Sequence, residues 1–271
     1  MRATNSIALT LLVALLCLIA PVSAAAAPFE FTVTAKKAFD NMIATENRTT
    51  SAQLNKLYSD LKTAQQQELN WDQQIDKVKF RNQENDSTLR KQIREINADK
   101  IKLLEQKVQS SKVKYEPLFE TYDLQRKQLS LAKAAKNKEL TSFMNARVEI
   151  TKAAVQIAKQ DIRNKEADLK TAKSAASAKA KDIRGILAEG DTAKVKIREA
   201  KSSISTFKKQ LTAETKVLNQ VVRKSEAAAT IASFNNMLRY QKQINEQKSK
   251  IHTYEGQISG IIAKAKKQMN K

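Results

Sequence analysis

Apolar residues in this chain recur at intervals of seven over most of its length. Leu54, Leu61, Ile75, Leu89, Ile96 and Leu103 belong to one series whose polar members are Glu68 and Asn82. Leu57, Ala64, Trp71 and Val78 add a companion row three residues on, which completes the two-row seam of a coiled coil. Beyond Asn82 the companion row shifts to Ile93, so the polar stretch Arg81 to Thr88 reads as a phase slip. Glu68 and Asn82 either fix the register of the seam or mark where it is poor.

The spacing resumes at Val148, Val155, Ile162, Leu169 and Ile183, and again at Ile204, Leu211 and Leu218. A last series, Ile244, Ile251 and Ile258, is out of phase with its predecessor, so residues 227–236 absorb a shift in register. Few residues interrupt these runs. Pro117 cannot donate an interior helix hydrogen bond and predicts a turn near Tyr115. Gly190, followed by Asp191 and Thr192, has the composition of a left-handed helix stop and a fresh N-cap, and predicts a hairpin turn. Phe29 to Val33 alternates apolar and polar residues and reads as an arm or the beginning of the first helix rather than a paired strand.

These signals predict an all-α protein: three long helices over about 30–115, 118–186 and 191–269, folded as one elongated antiparallel bundle or coiled coil. Four glycines, three prolines and 5% aromatic residues in a 271-residue chain agree with long helices and a narrow core.

Residues 1–27 have a different character. An Arg near the start, an apolar run from Ile7 to Ala20, then Pro21 and small residues to Ala27 form the pattern of a secretory signal peptide. Retention as an uncleaved anchor is the alternative. The one cysteine, Cys17, lies within this run, so a cleaved chain has neither disulfide nor thiol chemistry. A secreted protein at the cell surface is the expectation.

Candidate catalytic chemistry is sparse. One histidine, His252, cannot build a triad or a multi-histidine metal site, and no glycine-rich phosphate loop is present. The chain is therefore expected to be no enzyme and to need no cofactor. Gly256 and Gly260 read as a frayed or bent helix end.

Charge is more informative. The formal net charge is +21, rising from +3 over residues 28–116 to +6 over 117–190 and +11 over 191–271. A solvated helix face usually balances its signs, so the excess points to a polyanion. The candidate contacts are Lys208, Lys209, Arg223, Lys224, Lys264, Lys266, Lys267 and Lys271. Lysine-rich attraction of this kind suits diffuse contact more than bidentate phosphate recognition.

Outside the cell the expected partner is an anionic cell-wall polymer or a lipid headgroup surface, with another envelope protein as a further partner, no nucleic acid, and self-association open. The function this supports is a structural or adaptor protein of the cell envelope. A holdase chaperone or a coiled-coil regulator of an envelope enzyme is the alternative, with a membrane-active toxin behind it.

Overall fold

The computed structural model describes residues 29–271, so the signal-peptide segment 1–27, Cys17 included, lies outside the described residues. The fold is all-α. Among the described residues there are six helices and no strand: α1 (Val33–Thr45), α2 (Arg48–Arg94), α3 (Ala98–Ala134), α4 (Lys138–Ala188), α5 (Asp191–Arg223) and α6 (Ala227–Met269). They divide between two compact units. Unit 1 is Met1–Asn70 with Ser203–Gln247, and unit 2 is Trp71–Ser202 with Lys248–Lys271.

Unit 1 is built on aromatic residues. The alternation at Phe29 to Val33 produces an extended lead-in whose Phe29 is buried and Phe31 half-buried. Phe31 meets the rings of Phe39, Tyr58 and Phe234 at centroid distances of 4.9, 5.3 and 6.1 Å. These rings sit on Met42, Leu54, Leu61, Leu218, Val222 and Met237. Thr32 caps α1 by accepting a hydrogen bond from Ala35 N at 3.3 Å. The short helix is thereby fixed by both its cap and its buried face. The chain reverses after α5, since Glu214 accepts from Ser233 at 2.6 Å across the 224–226 turn.

Unit 2 contains an antiparallel hairpin of α3 and α4. Ser111 accepts from Lys165 at 2.6 Å, while Lys112 pairs with Glu166 at 2.6 Å and Lys173 with Glu105 at 2.7 Å. One constant register satisfies all three. Near the ends of α4 and α6, Leu89 and Ile93 pack with Ala180, Ile183, Leu187, Ile262 and Ala265. Here α2 and α6 run parallel, as Asp72, Asn82 and Asn85 meet Lys248, Glu255 and Lys266 in the same order.

Both expected turns are displaced. Pro117 lies inside α3, exposed on its outer face. The covered face of α3 runs Ile101, Leu104, Val108, Ser111, Tyr115, Leu118, Tyr122, Gln125, Leu129 and Ala132, a 3-4 repeat that passes the proline undisturbed. A missing N–H on the solvent side costs the helix one bond but leaves its packing intact. The reversal comes at residues 135–137 instead. There Lys136 is left-handed at φ 54°, its N–H bonds Lys133 O at 3.1 Å, and Asn137 N bonds Ala132 O at 3.3 Å. That is a Schellman stop with lysine where glycine is usual.

Gly190 does interrupt the helix, but the chain neither reverses nor turns left-handed there, because no glycine among the described residues has positive φ. Along α6, Lys264 reaches Glu189 before the break and Tyr254 receives Lys196 after it, so the chain keeps one direction through the junction. The expected third helix is in fact α5 and α6, separated by a second Schellman stop at Ser225 (φ 56°). The expected first helix is broken at Glu46–Asn47 and again at Asn97 (φ 55°), whereas α2 runs on through the supposed slip at 81–88. Gly256 and Gly260 are internal to α6, which continues to Met269.

Most of the predicted seam is covered. Leu54, Leu61, Ile75, Leu89, Val148, Val155, Ile183, Leu218, Ile244 and Ile251 are buried, and Ile96, Ile162, Leu169, Ile204, Leu211 and Ile258 are half-buried. Leu103 is not, at 51% exposure. The left-handed Asn97 resets the helix phase, and Ile101 and Leu104 take the positions that Leu103 would have held.

Of the two readings of the polar seam residues, register-setting fits. Asn82 is buried and donates to Glu255 O at 2.8 Å and Oε2 at 2.9 Å. Glu68 accepts from Gln241 at 2.6 Å and pairs with Lys208 at 2.9 Å. Such directional pairs are satisfied at one alignment of the helices and lost at others.

Candidate polyanion-binding surface

The eight predicted cationic contacts fall into two groups that the fold places in separate units. In unit 1, Lys208 is bound to Glu68, and Arg223 donates to Thr32 Oγ1 at 3.3 Å. Lys209 and Lys224 are exposed. In unit 2, Lys264 pairs with Glu189 at 2.9 Å, and Lys266 donates to Asn85 at 2.6 Å. Lys267 and Lys271 are exposed. Lys266 and Lys267 also occupy the last turn of α6, where cations offset the helix dipole. Half of the predicted set therefore has a structural task within the fold.

A denser cationic site lies at the α3–α4 reversal. Residues 124–138 carry Arg126, Lys127, Lys133, Lys136 and Lys138 and no Asp or Glu. The turn gathers Lys133, Lys136 and Lys138 with Thr141, Ser142 and Asn145 around an open basin of about 590 Å³. Backbone geometry brings them together. Lys133 is in the last turn of α3, Lys136 is the left-handed residue, and Lys138 opens α4 behind the cap Asn137. Asn137 Oδ1 accepts from Leu140 N at 3.0 Å, and Thr141 donates back to Asn137 O at 2.7 Å.

The three ammonium groups are exposed, and the positive end of α4 points the same way. Ammonium donors, two hydroxyls and an amide around an open concavity can hold several anionic oxygens at once. The signal is present in the sequence as a fifteen-residue run free of acid, which a turn at Pro117 would place in mid-helix.

Three ionisable groups elsewhere are shifted by their neighbours. Asp161 is held below the usual carboxylate range by its hydrogen bond from Lys165, with smaller help from Tyr115 and Lys114. Lys194 does the same for Asp191, with Arg90 adding to it. Arg90 is raised by its bond to Asp86. His252 lies against Trp71 at 5.6 Å between ring centroids.

A second cavity, of about 250 Å³, opens in unit 2 beside Gly190. Ile197, Ile258, Ile261, Asn82 and Glu255 line it. Among the described residues no cluster of three or more His, Cys, Asp or Glu could hold a metal ion, and no helix is long and apolar enough to cross a membrane. No family, curated protein or solved structure matches the chain.

Proposed function

We propose that this chain is a secreted, non-catalytic coiled-coil protein that adheres to an anionic surface of the cell envelope, and that the α3–α4 reversal makes the contact. The observation that carries this reading is the group of five cations over residues 124–138 with no carboxylate among them. Lys208 and Lys264, by contrast, are already neutralised within the fold. A cation with an internal partner must break that pair to bind a new anion, and a free one need not. The contact is therefore expected at the hairpin tip and not along the third helix.

Attraction of this type is screened over about 8 Å at physiological ionic strength and over about 3 Å at 1 M salt. The test measures retention of the protein on isolated envelopes across a salt series, beside the triple variant Lys133→Gln, Lys136→Gln, Lys138→Gln. Release of the wild type by salt, and loss of binding in the triple variant at low salt, support the reading. Retention by the triple variant equal to wild type removes the hairpin tip as the contact. Persistence in high salt removes electrostatic adhesion altogether.

A further inference from the structure

The hairpin has one charged edge and one edge that becomes apolar toward the tip. With the covered rows of α3 and α4 taken as heptad positions a and d, the ion pairs Glu105–Lys173 and Lys112–Glu166 join position e to position e. Lys114 acts on Asp161 along the opposite edge, g to g. Position c adjoins g. On α3 the c row includes Leu124 and Leu131, and on α4 it is Phe143, Ile150 and Ile157. Because both rows flank the same g edge, they lie on one face of the hairpin. Arg147, a g residue, sits over the Phe143 ring at 5.6 Å.

That face is uncovered. Leu124, Leu131, Leu140, Phe143, Ile150 and Ile157 are between 45% and 74% exposed. At roughly 200 Å² for a large side chain in water, the six leave on the order of 700 Å² of apolar-rich surface exposed. A monomer rarely leaves a contiguous patch of more than a few hundred Å². A standard interface buries about 800 Å² per partner, which the adjoining Ala146, Ala153 and Ala154 would supply.

We propose that this face binds the same face of a second copy of the chain, so that two hairpins form a four-helix bundle about a two-fold axis along their length. Three features select that occupant. The hairpin register sets Leu124 level with Ile150 and Leu131 level with Phe143, so a two-fold rotation places unlike rows opposite one another without any axial offset. Both rows repeat at seven residues, so they match over several turns. On the c, f and g positions from 121 to 157, only Lys127, Glu139 and Arg147 are charged, and the α4 rim presents Ala146 and Ala153. A complementary surface must be equally apolar and poor in charge, and an isologous contact satisfies both conditions with the chain's own residues.

Sedimentation equilibrium of the full chain at micromolar concentration, beside the double variant Phe143→Glu, Ile150→Glu, tests the proposal. Both side chains are exposed, so helicity by circular dichroism should match wild type. The expected result is a wild-type dimer whose association weakens at least tenfold in the double variant, about 1.4 kcal/mol or more. In a Cys17→Ser background, Leu124→Cys combined with Ile150→Cys should form an interchain disulfide. A monomeric wild type overturns the proposal, as does a dimer unmoved by the two glutamates. Cross-linking by Ile150→Cys alone, without need of the Leu124 partner, overturns the proposed two-fold.

Discussion

Lys136 gives the sharpest test of where the chain turns. Its φ of 54° lies in the left-handed region, where a residue with a Cβ costs roughly 1–2 kcal/mol. Glycine relieves that cost but loses more freedom on folding, by about 0.5–1 kcal/mol. Lys136→Gly should therefore stabilise the protein by about 0.5–1 kcal/mol, or about 2 °C in Tm for a chain of this size. Lys136→Ala removes the same charge but keeps the Cβ, so the difference between the two variants isolates the backbone. The assay is urea unfolding followed by circular dichroism at fixed salt. If α3 instead ran right-handed through residue 136, glycine would act as it does inside any helix and destabilise by about 1 kcal/mol relative to alanine. Glycine below alanine in stability would refute the reversal at 135–137, and the basin with it.

Further outcomes follow from the packing. Leu103→Ser should change stability by no more than about 0.5 kcal/mol, whereas Leu89→Ala should cost about 2–5 kcal/mol, although the two residues belong to one seven-residue series; denaturant midpoints of both variants check this. Phe234→Ala should cost about 3–5 kcal/mol, because its ring is fully buried among Phe31, Phe39 and Tyr58, and loss of near-ultraviolet dichroism should accompany it. Asp161, whose pKa is depressed chiefly by Lys165, contributes stability that is present above the ordinary Asp value of about 4 and is lost as pH falls through its lower folded value. Carbon-detected titration should show Asp161 moving toward the ordinary value in Lys165→Met, and an unchanged titration would deny the pair its role.

The helical class and most of the covered seam were legible from spacing alone, since a seven-residue repeat has few other physical meanings. The turns were not, because the usual markers stand in unusual places. Left-handed stops are occupied by Lys136 and Ser225, which resemble any helix-surface residue in sequence, while Pro117, Gly256 and Gly260 lie within helices. One cue was available: Ile183, Gly190, Ile197 and Ile204 keep a single seven-residue phase, which a hairpin turn had no reason to preserve. The seam of α3 stayed hidden because Ser111 and Gln125 occupy buried positions, and Leu103 imitated a continuation of the α2 series. The cationic tip could be recognised only after the turn had moved.

The constant register of α3 against α4 limits how this hairpin can change in length. Removing residues from one arm alone would misalign every layer on the side of the cut away from the tip, and a cut between the turn and Ser111 would break the Ser111–Lys165 contact and the two ion pairs beside it. Removing seven residues from each arm at matching levels would keep all remaining layers intact and shorten the hairpin by about 10 Å. The hairpin thus behaves as a ruler graduated in heptads, and relatives with a different reach should differ by paired insertions or deletions of whole repeats on the two arms.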